Sequence, residues 1–338
     1  MDYASRVAIA ALVGAFALSA QVKISQGHDK ISVEIHGQPY SDFYIAGPDP
    51  SFPGADKSLT GADLMKPFLW PVRAVTGTVV TRAWPLVQAD EEKGLKTDHP
   101  HQRGIWFGHE NVNGSDFWNS YTAKNRGKIT LIKVGELQSG KAAGSIAAKF
   151  QWTGNDGAPV LTESRVITFY DQPDLRTIDF DITLTAIDKV TFGDAKDGTF
   201  GMRLRPILQE DKFTGHIVNA DGLATEKQAW GKPSNWCDYY GEINGEKVGV
   251  AILDHPENPG HPVRWHVRNY GLFAANPFAL GLAGFISDKT QDGSKTLEPG
   301  QTFRFRYRVI VHPGDAKTAD IAARWAKYAN GADKPARP

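Results

Sequence analysis

Apolar and polar residues alternate with a period of two along most of this chain. In segment 176–185, every second residue from Ile178 to Leu184 is apolar, and the residues between them are aspartate or threonine. Segment 302–312 repeats the pattern, with phenylalanine, tyrosine and valine alternating with three arginines. Because successive side chains of a strand point to opposite faces, this alternation predicts antiparallel strands with one buried face.

Eight further segments carry the same alternation and predict further strands. They are 30–35, 72–82, 128–134, 145–152, 164–170, 198–204, 247–253 and 264–268. Sequences rich in glycine, asparagine and proline separate several of them and favour tight turns. These turn sequences lie at 155–157, 171–174, 244–245 and 298–300.

A helix is predicted only at the C-terminus. Ile321, Trp325 and Tyr328 follow one another at the spacing of one helix face, which predicts a single apolar stripe. Gly331 comes just after this stripe, where a helix commonly ends in a left-handed residue.

The predicted elements favour one domain of the all-β class. No internal repeat or linker divides the chain, and its 34 glycines and 20 prolines suit many turns between short strands. We therefore expect a large antiparallel β-sandwich over residues 21–331 with a short C-terminal helix. A disordered tail is expected at 332–338.

The first 20 residues have the pattern of an export signal. Arg6 precedes an apolar run at 7–18, and small residues follow at 19–20. The run has the length of a signal-peptide core and is short for a membrane span, although a first buried helix is the alternative. No later segment reaches membrane-spanning length. We therefore expect a periplasmic or secreted protein without membrane insertion after signal cleavage.

Composition excludes several classes of partner and cofactor. The 338 residues include 38 basic and 38 acidic side chains, whereas a nucleic-acid-binding surface generally needs a basic excess. The single cysteine, Cys237, cannot form an intrachain disulfide or a thiolate metal cluster. Phosphate-loop, dinucleotide-binding, serine-hydrolase and zinc-protease motifs are absent from the sequence, which disfavours nucleotide cofactors.

The densest group of chemically active residues surrounds a His-Pro-His sequence. His99, His101 and Arg103 alternate and so share one side of an extended chain, while His109 and Glu110 follow after an apolar strand. Imidazoles near neutral pH can act as general acid and base, with an arginine orienting a substrate oxygen. Alternatively, a His-x-His pair with a further histidine or glutamate can bind a divalent metal ion.

A second group of histidines lies in a proline-rich loop and the strand after it. It comprises His255, His261 and His266, and Asn276 lies just downstream. The prolines after His255 and His261 restrict the backbone and can hold these side chains ready for a ligand. All four residues are predicted to bind substrate.

A strand with two arginines and a nearby tryptophan complete the predicted site. Arg203 and Arg205 share one strand face, and Trp118 ends the first histidine-rich segment. Apolar sugar faces stack on aromatic rings, while hydroxyl groups need polar side chains around them. The expected partner is therefore a saccharide or another small polar ligand.

Four sequence blocks resemble the DUF6807 family over about residues 30–330. They are Asp-His-Pro-His-x-Arg-Gly-Ile-Trp-Phe from Asp98, Asn-Gly-x-Asp-Phe-Trp up to Trp118, Asp-Gly-Thr-Phe-Gly-Met-Arg up to Arg203, and Asp-His-Pro-x-Asn-Pro from Asp254. The chain departs from the family at Gln102, where its members usually carry a further histidine.

That family has also carried the label methane oxygenase PmoA. A subunit of particulate methane monooxygenase is an integral membrane protein, whereas this chain has no membrane-spanning segment after its signal. Its strand pattern and its closing segment, 298–307, are similar instead to galactose-mutarotase-like β-sandwiches. That resemblance implies a saccharide on a concave sheet face, with histidine and an acidic residue as acid and base.

We therefore expect an exported carbohydrate-active protein in which His101 and His109 are acid and base and Arg103 orients a substrate oxygen. Epimerisation, glycoside hydrolysis and elimination all remain open. One alternative is a metal-dependent enzyme that uses His99, His101 and His109, or Glu110, to bind a divalent ion; no other cofactor is expected. A second alternative is a non-catalytic sugar-binding protein.

Overall fold

The computed structural model describes residues 21–332, apart from 49, 51, 54, 59–62, 95–96, 120 and 122. The predicted signal at 1–20 and residues 333–338 of the predicted tail lie outside the described residues, so both remain predictions. None of the helices in the described part of the chain is long and apolar enough to cross a membrane.

Two antiparallel sheets of eight strands each form the body of the protein. The first sheet contains β1 (Val22–Gln26), β2 (Lys30–Ile35), β3 (Gln38–Tyr44), β4 (Phe68–Leu69), β5 (Ile105–His109), β11 (Gly198–Arg203), β15 (Arg264–Val267) and β16 (Leu272–Asn276). The second contains β6 (Lys128–Gln138), β7 (Ala143–Thr153), β8 (Pro159–Tyr170), β9 (Arg176–Ala186), β12 (His216–Asn219), β13 (Trp236–Ile243), β14 (Glu246–Asp254) and β18 (Thr302–Pro313). A separate pair joins β10 (Val190–Phe192) to β17 (Lys295–Leu297), and the helices are α1 (Thr225–Ala229) and α2 (Ile321–Ala329).

The strand order places the two polar segments in neighbouring strands. The first sheet runs β1-β2-β3-β4-β5-β11-β16-β15, and the second runs β12-β13-β14-β18-β9-β8-β7-β6. Strands β5, β11, β16 and β15 are therefore adjacent, although they come from distant parts of the sequence. They carry or adjoin most of the residues that the sequence singled out.

The core lies between the inner faces of the sheets. Phe107 of β5 meets Phe305 of β18 with ring centroids 5.3 Å apart, and Phe200 of β11 stacks on Tyr307 at 4.6 Å. All four side chains are buried. The alternation in 302–312 thus supplies the apolar face of a central strand, and the predicted large antiparallel β-sandwich is confirmed.

Most of the predicted strands exist, and several extend beyond their predicted ends. The strand predicted at 30–35 is β2, whereas the one predicted at 72–82 is wrong. That segment turns back on itself at Gly77, where φ is +92°, so Arg73 bridges to Val79. A glycine in this conformation reverses the chain and ends any straight strand.

Three adjacent strands of the first sheet are buried on both faces. In β5, β11 and β16 every residue is buried, so the apolar residues do not alternate with exposed polar ones. The reason is that connecting segments cover the outer face of this sheet, forming a second cluster that includes Leu86, Trp106 and Trp118. The candidate site lies on this covered outer face.

Helix α2 packs on the outer face of the second sheet. Ile321 and Tyr328 are buried in a cluster with Leu253 of β14 and Ile310 of β18. Gly331 follows the helix with φ of +72°, which confirms the predicted left-handed residue after its end.

Candidate functional site

A row of paired residues crosses the outer face of the first sheet. Strand pairing places His266 opposite Ala274, Ala274 opposite Gly201, Gly201 opposite Trp106, and Trp106 opposite Phe68. Directly paired residues of neighbouring strands point to the same face. The row therefore brings the third histidine of the second segment onto the same surface as the tryptophan of the first.

Gly201 lets two tryptophans pack directly on the sheet. A Cβ atom at this position would lie 2.6 Å from the Trp118 ring and 2.7 Å from the Trp106 ring. The two indole rings are 4.9 Å apart, and both are fully buried. The buried Lys66 side chain lies over the Trp106 ring and donates a hydrogen bond to the carbonyl of Trp118. Trp118, a predicted ligand-stacking residue, is thus part of the packed outer face.

His99 lies at the partly exposed edge of the site. Its ring stacks on Tyr270, with centroids 5.1 Å apart, and its Nδ1 lies 3.0 Å from Oδ2 of Asp98. The backbone of His99 has φ of +47°, an uncommon conformation for a residue with a side chain. Local strain of this kind is frequent at functional sites.

Arg203 holds the His99 segment against the sheet. Its guanidinium pairs with Asp98 Oδ1 at 3.1 Å, donates to Gln102 and lies over the Tyr270 ring. Burial by itself disfavours ionisation of Asp98, but the hydrogen bond with His99 and the charge of Arg203 hold the pKa of this carboxyl well below its usual range. Asp98 is therefore ionised at neutral pH.

His101 is buried among cationic groups. Its ring centroid is 5.6 Å from that of His99, and its Nδ1 has no hydrogen-bond partner among the described residues. Burial, followed by the charges of Lys66, His99, Arg203 and then Arg103, lowers the pKa of His101 well below its usual value. The imidazole is therefore neutral near pH 7 and can donate or accept a hydrogen bond.

Arg103 is held between two aromatic rings. Its guanidinium carbon lies 4.7 Å from the centroid of Phe68 and 5.3 Å from that of Tyr121. Only 2% of the residue is exposed. Stacking of this kind fixes the plane of a guanidinium and favours its positive charge.

Asp197 and His266 lie side by side on the same surface. His266 Nδ1 lies 3.3 Å from Asp197 Oδ1 and 3.0 Å from the carbonyl oxygen of Lys196. Burial, followed by repulsion from Glu110, raises the pKa of Asp197 to about 6. Burial and the nearby cations, Arg268 first, lower the pKa of His266 to about 3. A carboxyl group that titrates close to neutral pH therefore lies beside a neutral imidazole.

A polar cleft of about 590 Å³ adjoins Asp197. Glu110 is one of its walls, and a Glu110 carboxylate oxygen accepts a hydrogen bond from the backbone N–H of Asp197 at 3.2 Å. The cleft is lined by Glu110, Asn111, Gly114, Asp116, Asn125, Asp194, Ala195, Lys196, Leu282 and Ala283. Its carboxylates and amides suit a ligand with many hydroxyl groups.

Asn276 and Asp194 fix the loop that carries Asp197. The Asn276 side-chain amide donates to the carbonyls of Ala195 and Lys196, at 2.9 Å each. The Asp194 carboxylate accepts four backbone N–H bonds from segment 280–293. Asn276 was predicted to bind substrate, but its side-chain amide donates to the protein backbone instead.

The structure separates His109 from the other histidines. Its ring points into the core beside Phe192 and Phe278, and its Nε2 hydrogen-bonds to the carbonyl of Gly193 at 2.7 Å. The residue is completely buried, and burial lowers its pKa to about 4. The reason is strand alternation, because His109 follows Ile105 and Phe107 on the inner face of β5.

The second histidine-rich segment is divided between the two sheets. His261 pairs with Asp254 at 2.6 Å and lies parallel to Trp325 of α2, while His255 contacts Tyr328 of the same helix. Both therefore belong to the C-terminal helix contact on the second sheet. Arg205 is also engaged elsewhere, in a two-bond ion pair with Glu91 at 2.7 Å.

The expected metal ligands are not brought together. His99 and His101 are neighbours, but His109 lies on the opposite face of its strand. Within the described part of the chain, no group of three or more His, Cys, Asp or Glu side chains is placed to hold a metal ion.

Comparison with known protein families assigns the chain to a family. A family of unknown function, DUF6807, matches residues 30–326. The chain belongs to the DUF6807 family. The predicted family resemblance is thereby confirmed, and no curated protein matches the chain.

Solved structures similar to this DUF6807 protein share little sequence with it. A galactose mutarotase-like protein from Clostridium acetobutylicum is 9% identical, covers 87% of this chain and 99% of its own, and has a TM-score of 0.38. Galactose 1-epimerase from Lactobacillus acidophilus is 8% identical, covers 88% of this chain and 100% of its own, and has a TM-score of 0.36. The GH36 α-galactosidase AgaA from Geobacillus stearothermophilus is 11% identical, with 87% of this chain but only 41% of that one covered and a TM-score of 0.36.

Sequence reasoning missed several residues of this DUF6807 site. Asp98 and Asp197 each begin a sequence block of the family resemblance, and Tyr270 follows the second group of histidines, but none of the three is among the predicted site residues. Lys66 lies in a segment without any motif. Asp197 opens the Asp-Gly-Thr-Phe block, which was the available signal for it. For Lys66 the sequence gives no signal, because its role depends on the two tryptophans that it contacts in the fold.

Proposed function

We propose that this protein binds a saccharide at the outer face of the first sheet and acts on it by acid/base chemistry. The observation that carries the proposal is that buried His101, Arg203 and His266 lie close to the partly exposed His99, next to the cleft beside Asp197. Groups from distant segments that meet beside a cleft are the default mark of a binding site.

Two carboxyl groups with different pKa values suggest how the acid and base roles are divided. Asp98 is held ionised and orients His99, whereas Asp197 has a pKa raised to about 6 by burial and by Glu110. Pairs of titratable groups with divergent pKa values commonly divide the roles of acid and base. We assign Asp197 as the group that exchanges a proton with the ligand, and His99, oriented by Asp98, as its partner.

The neutral imidazoles support binding of hydroxyl groups. His266 Nε2 and His101 Nδ1 are buried and, in the described part of the chain, have no hydrogen-bond partner. A neutral imidazole nitrogen can meet a sugar hydroxyl as donor or acceptor.

Under this proposal neither His101 nor His109 is the acid or the base that the sequence predicted. His101 remains at the site as a hydrogen-bonding group, while His109 is completely buried and bonded to a backbone carbonyl. The reaction is the transfer of a proton to or from a sugar oxygen or carbon, as in epimerisation, hydrolysis or elimination.

A binding and product screen tests the proposal. Purified protein is titrated calorimetrically with a panel of mono- and oligosaccharides, and mixtures are followed by NMR and mass spectrometry. We expect at least one sugar to bind and to be converted, with conversion lost in His99→Ala and in Asp197→Asn. His28→Ala and Asp174→Asn, both at exposed positions away from the site, are the matched controls.

The outcomes separate catalysis from binding alone. Sugar binding without product, in protein shown to be folded by circular dichroism, would favour the non-catalytic alternative. If no sugar binds, or if both site variants convert sugar as fast as the parent, the proposed function is wrong.

A further inference from the structure

Several buried hydrogen-bond donors lie on the outer face of the first sheet. The indole Nε1 atoms of Trp106 and Trp118 are buried without a hydrogen-bond partner among the described residues, and so are Arg203 Nε and His101 Nδ1. An indole or guanidinium N–H can only donate. Burial of an unmatched donor is unfavourable, so these atoms suit a ligand that supplies acceptors.

These donors belong to one cluster. The Trp106 and Trp118 rings are 4.9 Å apart, and the Lys66 ammonium lies 5.7 Å from the Trp106 ring centroid. Lys66 and Arg203 also contribute two of the largest charge effects on His101. Trp106, Trp118 and Lys66 are therefore direct neighbours, and His101 lies within range of the Lys66 charge.

The cluster also has a positive potential. Its buried cations are Lys66, Arg82, Arg103 and Arg203, each at most 3% exposed. Among the described carboxylates, Glu92 pairs with Arg82, Asp98 pairs with Arg82 and Arg203, and Asp116 lies close enough to Lys66 to feel its charge. After burial, the charges of Lys66, Arg203 and Arg103 are among the largest effects on His101, and each lowers its pKa.

We propose that the saccharide bound here carries an oxyanion substituent, a carboxylate or a sulfate ester, held by Lys66, His101 and the two indole N–H groups. This inference rests on the proposed function and names the substrate class of that site. Oxyanions accept several hydrogen bonds at once, and charge-assisted hydrogen bonds are stronger than neutral ones. Donors of this kind therefore favour an acidic sugar over its neutral parent.

Calorimetric titration of the purified protein with matched sugars tests the inference. Glucuronate and galacturonate represent the carboxylate, galactose 6-sulfate represents the sulfate ester, and glucose and galactose are the neutral parents. We expect at least one acidic sugar to bind about tenfold more tightly than its neutral parent. The preference should weaken as salt is added, because salt screens the charges.

Variants connect the preference to the cluster. Trp106→Phe and Trp118→Phe each remove one N–H group and keep an aromatic ring, and Lys66→Gln removes the buried charge. Each is expected to reduce the preference for the acidic sugar at least threefold, on the order of one hydrogen bond. Lys128→Gln, which removes a surface lysine paired with Asp63, is the control and is expected to change neither affinity.

The outcomes distinguish this inference from the proposed function. Equal or tighter binding of the neutral sugars would overturn the inference and leave the proposed function standing. A full preference for the acidic sugar in both tryptophan variants, with folding verified by circular dichroism, would also overturn it. Absence of binding by every sugar would overturn both proposals. If Lys66→Gln does not fold, the tryptophan variants still decide the result.

Discussion

The Nδ1 atom of His266 lies 3.3 Å from Oδ1 of Asp197, and the two residues come from different sequence segments. His266 is on β15 and Asp197 directly precedes β11, with β16 between the two strands. The contact joins a buried imidazole to a carboxyl group at the edge of the cleft. It joins strand β15 to the Asp-Gly-Thr-Phe block, and the backbone N–H of Asp197 also donates to Glu110 of the first polar segment.

The raised pKa of Asp197 predicts a gain in stability on substitution. The folded-state pKa is about 6 and the unfolded value is 3.8, so the folded protein binds this proton more tightly and loses stability as the pH rises between those values. Asp197→Asn removes the loss and should raise the free energy of unfolding at neutral pH by roughly 1–3 kcal/mol. Urea denaturation measures it, with the exposed Asp174→Asn as control. Equal stability of parent and Asp197→Asn at neutral pH would contradict the assigned pKa.

The buried pair of His312 and Asp238 predicts that replacing His312 destabilises the protein at acidic pH. Burial works to lower the pKa of His312, but Asp238, whose Oδ1 lies 3.2 Å away, outweighs it and the pKa is raised above 6.5. The resulting stabilisation is full below the unfolded pKa and is lost as the pH rises through the folded pKa. His312→Gln should be less stable than the parent at acidic pH, and the difference should shrink at alkaline pH. Chemical denaturation across this range checks it, with His28→Gln as control. A difference that stays constant with pH would show that the pair is not ionised.

Gly201 predicts a steric effect on the outer face. A Cβ atom at this position would meet the rings of Trp106 and Trp118, both of which are fully buried and have little room to move. Gly201→Ala should therefore destabilise the protein by about 1–3 kcal/mol and shift the tryptophan fluorescence. Gly135→Ala is the matched control, because the added Cβ on the edge strand β6 comes no closer than 3.2 Å to another atom. Equal losses in both variants would mean that tryptophan packing is not the cause.

Because the second segment is divided between the two sheets, we expect substitutions of His261 and His266 to affect different properties, the first stability and the second sugar binding. His261 pairs with the buried Asp254 and faces Trp325, so His261→Ala should lower the melting temperature by loosening the C-terminal helix. His266→Gln should instead weaken binding of any sugar found in the screen, because its ring lies beside Asp197. Calorimetric titration and thermal melts of both variants measure this. Sugar binding that is weakened equally by both substitutions would show that the segment acts as one site.

The strands with one exposed face were predictable from their alternation. Of the three fully buried strands, β5 and β11 were also predicted, but β16 was not. The alternation at 176–185 and 302–312 follows directly from the position of β9 and β18, whose inner residues lie in the core. In β5, β11 and β16 both faces are covered, so burial removes the polar half of the pattern. The segment 72–82 has suitable residues for a strand, but Gly77 turns the chain back at its centre.

The candidate site was likewise predictable from the sequence only in part. Clustered histidines in the sequence identified His99, His101 and His266, all of which the structure brings to the outer face of the first sheet. Spacing alone placed His109 with them, but strand alternation turns its ring into the core. Asp197 and Lys66 acquire their roles only from neighbours that are distant in sequence.

The sequence by itself determined the period of the strands, the all-β class and the family, because each is written in local patterns of residues. Its equal numbers of acidic and basic residues also excluded a generally basic surface. Only the tertiary structure decided which polar groups meet. The order of β5, β11, β16 and β15 places Trp106, Arg203 and His266 in neighbouring strands, and the connecting segments bring buried Lys66 and Arg103 close to His101. Charges act over a few ångströms within a protein, and the fold sets those distances.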